Sequence, residues 1–155
     1  MSALAGGALG PLWAGLATGG FAVLFSLRGR DIFLAALGGA LGWAAFSASA
    51  AASASEAIGH FAAAAAIGLW SEVLGAALRR PATVYMICGI IPLVPGGGMY
   101  NTMLAAVRGS AWLSVTTGFA ALQAAGAIAA GLAVSSAVSR VLQLRALARR
   151  IAGGQ

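Results

Sequence analysis

The segment from Ile90 to Thr102, I-I-P-L-V-P-G-G-G-M-Y-N-T, concentrates the residues of this chain that can do chemistry. It lies in the uncharged run between Arg80 and Arg108, where a membrane helix would otherwise be continuous. Pro92 and Pro95 lack the backbone N–H that a helix interior needs, and Gly96, Gly97 and Gly98 add backbone freedom. A regular helix is therefore not expected to continue through them. In hydrocarbon, each freed backbone group costs several kcal/mol unless protein or a water-filled cavity satisfies it. The stretch from Ala82 to Ile91 makes about 15 Å of helix, roughly half of a bilayer core. The spacing thus predicts an unwound segment from Pro92 to Gly98 near the midplane, with a second half-helix resuming around Met99. The N-terminus of that half-helix would aim unpaired N–H groups and a positive dipole end into the membrane interior, which suits a carboxylate. Tyr100, Asn101 and Thr102 are expected on its first turn as side-chain donors. A merely kinked helix, or a re-entrant loop packed on a neighbour, would leave the same pattern.

Two titratable groups stand apart from the break. Glu72 precedes Arg79 by two helical turns, about 10 Å of helix. An acidic side chain at that depth costs several kcal/mol unless it is paired, neutralised or hydrated. It is a candidate proton carrier or cation-coupling group, with a structural pairing to Arg79 as the alternative. His60 and Glu56 are one turn apart at the other end of the same apolar run. A surface ion pair or interfacial polar cluster accounts for them, and proton entry is the functional alternative. Ser114, Thr116, Thr117 and Gln123 can line a polar path or bond between helices. One histidine and one cysteine cannot assemble a conventional zinc site. The chain holds neither a phosphate-binding G-x-x-x-x-G-K-[ST] nor a G-x-S-x-G nucleophile elbow. No enzyme activity and no cofactor are expected.

The elements that must position these residues follow from composition. Of 155 residues, 61% are apolar and 8% charged, with mean hydropathy +0.94; soluble domains carry about 25% charged residues. The net charge of +6 comes from nine arginines without a lysine, in short clusters between apolar runs. That placement speaks to membrane topology and not to nucleic acid, which needs a basic stripe. Cys88 is alone, so there is no disulfide framework. No positive region precedes the first apolar run, so no cleaved signal peptide is expected.

Charges divide the chain into five apolar runs, each near or above the roughly 20 residues that cross a bilayer. They are Ala3 to Leu27; Ile32 to about Ala50, with Asp31 as N-cap; about Ala54 to Leu78; Ala82 to Val107, with the break; and Ser110 to about Ser139. Ser53 and Glu56 have the spacing of a capping box for the third. The expected fold is an all-α integral membrane protein with five transmembrane helices, the fourth broken by the Pro/Gly segment. Residues 1–139 would form the five-span domain and 140–155 a basic cytoplasmic tail. If all five cross, Arg28, Arg30, Arg79, Arg80 and the four arginines of the tail share one face, opposite Arg108 alone. The positive-inside rule makes the crowded face cytoplasmic, with the N-terminus outside. Gly6-Gly7-Ala8-Leu9-Gly10 recurs as Gly38-Gly39-Ala40-Leu41-Gly42, and Gly15 and Gly19 share the same four-residue spacing. Such small-residue faces let helices approach closely in lipid. Five short helices enclose little volume, so a partner or homo-oligomer is expected.

The residues around the break resemble the threonine/serine exporter family, specifically its C-terminal transmembrane half, which also occurs as a separate small protein. The resemblance rests on x-P-x-x-V at Pro81 and Val84, followed by I-P-x-x-P-G-x-x-x-Y at Ile91, Pro92, Pro95, Gly96 and Tyr100. The region of Arg28, Arg30 and Gly38 to Gly42 is similar to the family's first cytoplasmic loop and second helix. Gly97 and Gly98 make the segment richer in glycine than the family pattern. The resemblance implies a secondary-transport subunit of the bacterial inner membrane that exports threonine, serine or dicarboxylates. It also implies a companion five-span half and coupling to a proton or ion gradient. A non-transporting assembly subunit and a small channel are the alternatives.

Overall fold

The computed structural model describes residues 9–53 and 55–152, with side chains as far as Val141. The described residues are helical throughout, apart from short connections. The helices are α1 (Gly10–Leu24), α2 (Arg30–Ser53), α3 (Glu56–Leu78), α4 (Ala82–Ile90), α5 (Gly96–Val107) and α6 (Ala111–Ala152), with a single 3-10 turn (Ile91–Leu93) after α4. By length and apolarity α2, α3 and the Ala111–Val141 part of α6 can each cross a membrane, so the described residues give three spans, or four where α4 and α5, bent by 48° at the break, count as one broken span and not as a re-entrant loop; the five expected from the sequence are not all seen. α1 has 15 residues, and the Gly6-Gly7 part of its glycine motif lies outside the described residues. α6 runs on without interruption past Ser139 into the arginine-rich segment.

Helix ends differ from expectation in two places. Asp31 is not the N-cap of α2 but a residue of its first turn, since the helix already begins at Arg30. The capping box does not form either. Ser53 belongs to the end of α2, where its hydroxyl donates to the Ser49 carbonyl at 2.6 Å, and Ser55 occupies the N-cap position of α3 without a side-chain bond. A serine inside a helix can bond back to the carbonyl four residues earlier, and that local partner competes with the cap.

α3 is the centre of the molecule, packed between α2 and α6; α1 lies along α2, α4 against α2 and α3, and α5 along α6. The close approaches come from small residues. Trp70 of α3 fits over Gly38 and donates its indole N–H to the Leu34 carbonyl at 3.0 Å, and Ile67 fits over Gly42. On the opposite face of α3, Ser135 of α6 occupies the space beside Gly68. The expected small-residue packing is thus realised on α2, and Gly15 of α1 lies against the Ala36 backbone. Two clusters form the interior. One gathers Ala22, Leu27, Ala35, Leu74, Tyr85 and Cys88; the other gathers Ala63, Ala64, Ile67, Leu93 and Ile128.

Candidate functional site

Proline geometry dictates the break. Pro92 sits in the 3-10 turn, Val94 is extended with φ −60° and ψ 130°, and Pro95 follows at φ −74°. A residue before proline is pushed out of the helical region, which is the conformation Val94 takes. The chain returns to helix at Gly96, earlier than expected, so Gly96, Gly97 and Gly98 form the first turn of α5 instead of an unwound loop. A first turn is where missing side chains cost least and where amides are free in any helix. Tyr100, Asn101 and Thr102 consequently stand one turn further along than expected.

The amides around this turn can be accounted for one by one. Gly96 N–H donates to the Val94 carbonyl at 2.7 Å and Met99 N–H to the Pro95 carbonyl at 3.0 Å, leaving the Gly97 and Gly98 amides without a backbone acceptor. Gly96 and Gly97 are exposed, and a Cβ on either would meet nothing within 4 Å. Gly98 instead faces Ala121 of α6, with its ideal Cβ 3.4 Å away. Tyr100 and Asn101 are exposed. Thr102 turns toward α6: its hydroxyl donates to the Gly98 carbonyl at 2.8 Å and lies 3.1 Å from the Thr117 hydroxyl, while Ser114 donates to the Thr102 carbonyl at 3.0 Å. Thr102 thus fastens α5 to α6. At the far end of α5 an open cavity of about 410 Å³ is lined by Asn101, Arg108, Ser110 and Thr117, among others. Asn101 belongs to both regions, a link that spacing alone did not reveal.

The other titratable candidates stay apart from the break. Glu72 is half-buried on α3 and makes no ion pair with Arg79, which instead caps the helix in a left-handed conformation at φ 53°. His60 does not pair with the Glu56 carboxylate. Its Nδ1–H donates to the Glu56 carbonyl at 2.8 Å, and its ring packs edge-on against Phe46 with centroids 4.8 Å apart. Among the described residues the ion pair that forms is Arg80 with Asp31, at 2.8 Å, and sequence reasoning missed it. A signal was available: Asp31 is the one acidic residue lying among the arginine clusters.

Long apolar helices joined by short turns, one of them sharply bent, define a multi-pass membrane protein. Residues 11–138 match the family model described as "Threonine/Serine exporter, ThrE", and the chain belongs to that family. It is accordingly a transport protein and not an enzyme. No curated protein and no solved structure matches the chain.

Proposed function

We propose that this chain is one half of a secondary transporter that exports small carboxylate-bearing metabolites, threonine- or serine-like amino acids or dicarboxylates, across the bacterial inner membrane. The observation that supports this most is the 48° break with the free amides of Gly97 and Gly98 at its inner edge. Two adjacent amides at a helix N-terminus suit a carboxylate, and both substrate classes carry one. Pro92 and Pro95 set the bend, Gly96 to Gly98 let the substrate approach the backbone, and Tyr100 and Asn101 supply polar groups one turn on. Thr102 acts by holding α5 on α6.

Completion of the site falls to a companion five-span subunit or a second copy. Support comes from α5, which packs along α6 and leaves its first turn exposed. In this reading α1 belongs to the first of five spans, Ala3 to Leu27 in the sequence, whose residues before Leu9 lie outside the described residues; the N-terminus is periplasmic and the C-terminus cytoplasmic. The arginine tally supports that orientation. Glu72 is the coupling candidate, with His60 at the opposite end of α3.

Gly97→Leu tests the assignment. A Cβ there meets nothing within 4 Å, so insertion and membrane level should be normal. Threonine and serine efflux from loaded cells should fall by about tenfold or more, the loss of roughly 1.4 kcal/mol of binding. Unchanged efflux at normal membrane level would place the substrate elsewhere.

A further inference from the structure

The corner between α5 and α6 holds a polar cluster that the break does not use. On α5, Asn101, Leu104, Ala105 and Arg108 recur at the three- and four-residue spacing of one helix face; Ser110, Leu113 and Thr117 do the same at the start of α6. Where the two faces meet they line the open cavity of about 410 Å³, a size within the range of small-molecule sites.

Backbone bonds fix the turn that carries Arg108. Its N–H donates to the Leu104 carbonyl at 3.1 Å, Gly109 N–H to the Ala106 carbonyl at 3.0 Å, and Ser110 N–H to the Ala105 carbonyl at 2.9 Å. Gly109 takes φ 76°, which a side chain disfavours, and so lets the chain turn back into α6. On the other wall the Thr117 hydroxyl donates to the Leu113 carbonyl at 2.7 Å and lies 3.1 Å from the Thr102 hydroxyl. The cavity thus has walls held in place on both helices.

Charge decides what the cavity can take. Arg108 is the one basic residue between Arg80 and Arg140, and the chain has three acidic residues in all, Asp31, Glu56 and Glu72. Those stand on α2 and α3, whereas the principal neighbour of α5 is α6. Among the described residues the ion pair that forms joins Asp31 to Arg80, and none forms at Arg108. A guanidinium only donates hydrogen bonds, and the other polar groups lining this cavity, Asn101, Ser110 and Thr117, are neutral. Water or a lipid phosphate would satisfy an isolated surface arginine, but neither needs a cavity walled by such groups.

We propose that this cavity is a second binding site for the carboxylate-bearing metabolite, an inference that rests on the transport reading above. Arg108 holds the carboxylate through paired N–H bonds, Asn101 and Ser110 bond its other polar groups, and Leu104 and Ala105 face its carbon atoms. Gly98 and Arg108 are ten residues apart, about 15 Å of helix, so the two sites are separate stations along α5 with Asn101 between them. In the orientation proposed above, the second station faces the periplasm.

Ser110→Cys in a Cys88→Ser background places a lone thiol in the cavity wall. The full-length protein in native membrane fragments, with both faces open to buffer, is treated with a water-soluble methanethiosulfonate, and labelling at position 110 is timed. Threonine titrated to saturation should slow labelling by about tenfold or more, because occupied sites are protected. Threoninamide keeps the hydroxyl and the ammonium but lacks the carboxylate, and should not slow it. Arg108→Gln should abolish the protection, and Arg108→Lys should retain part of it. Labelling that threonine does not slow would mean that a lipid phosphate or a neighbouring chain's carboxylate faces Arg108, and overturns the site. Equal protection by threoninamide, or protection that survives Arg108→Gln, overturns it too. The comparison of threonine with threoninamide needs no change at Arg108, so it decides the question even where those variants fail to insert. Protection should persist when Gly97→Leu is added; its loss would mean that position 110 reports the site at the break, and overturns a second one. Failure of the first assignment looks different: efflux is then untouched by Gly97→Leu while protection at position 110 stands.

Discussion

At the scale of single residues, buried hydroxyls separate into those with partners and those without. Ser71 donates to the Ile67 carbonyl at 2.8 Å and Ser135 to the Leu132 carbonyl at 2.8 Å, each within its own helix. Thr18, fully buried against Gly39, has no partner among the described residues. An unsatisfied buried hydroxyl costs about 1–3 kcal/mol, and replacement by an apolar group of the same shape removes that cost. Thr18→Val is therefore expected to stabilise the protein by about 1 kcal/mol, read as a higher midpoint of thermal unfolding in detergent. A lower midpoint would show that the hydroxyl is bonded after all. The acidic residues teach a related lesson. Sequence spacing singled out Glu72 because it lies inside an apolar run, whereas Asp31 reads as part of a charged turn. Packing reverses the ranking by exposure: Asp31 is buried and Glu72 only half-buried. Its partner Arg80 arrives from a different turn, which no local pattern announces.

At the scale of elements, glycine carries opposite meanings that the letters do not distinguish. Gly97 and Gly68 both sit in apolar runs, yet a Cβ at Gly97 meets open space while one at Gly68 collides with Ser135. Gly68→Val should therefore separate α3 from α6 and destabilise the bundle by about 1–3 kcal/mol, the usual cost of overpacking. Denaturation in mixed detergent would measure it, and an unchanged midpoint would mean that α6 can shift at no cost. The break itself was legible because proline acts locally: it removes an N–H and constrains the residue before it whatever the tertiary setting. The extent of the break was not legible. Three glycines are as compatible with a helix's first turn as with a loop, and only Pro95 at the N-cap position decides for the turn.

For the whole molecule, the important asymmetry is that α3 is enclosed by α2 and α6 while α5 has a single principal neighbour. Met103 on α5 is 70% exposed. If a companion subunit or second copy covers this helix, Met103→Cys in a Cys88→Ser background, its thiol alkylated with a photoactivatable cross-linker, should capture a second chain on irradiation in native membranes. Its mass would be the sum of the two chains. Photoproducts with lipid alone, with no second chain captured, would make α5 a lipid-facing helix and leave the substrate site to this chain alone.

The sequence by itself determined that the chain belongs in a membrane, that its elements are helices, and where one of them must break. Each of these follows from local chemistry: the transfer of apolar runs into lipid, the need to satisfy backbone groups there, and the missing proline N–H. The family motif around Pro81, Pro92, Pro95 and Tyr100 was likewise readable, and the match over residues 11–138 bears it out. Tertiary structure alone decided which polar groups meet. It joined Asp31 to Arg80, turned Thr102 to α6, and left Gly96 and Gly97 open. Those outcomes depend on which faces of separate helices come together, and helix–helix approach is governed by small-residue packing summed over many positions. No single segment of the chain contains that information.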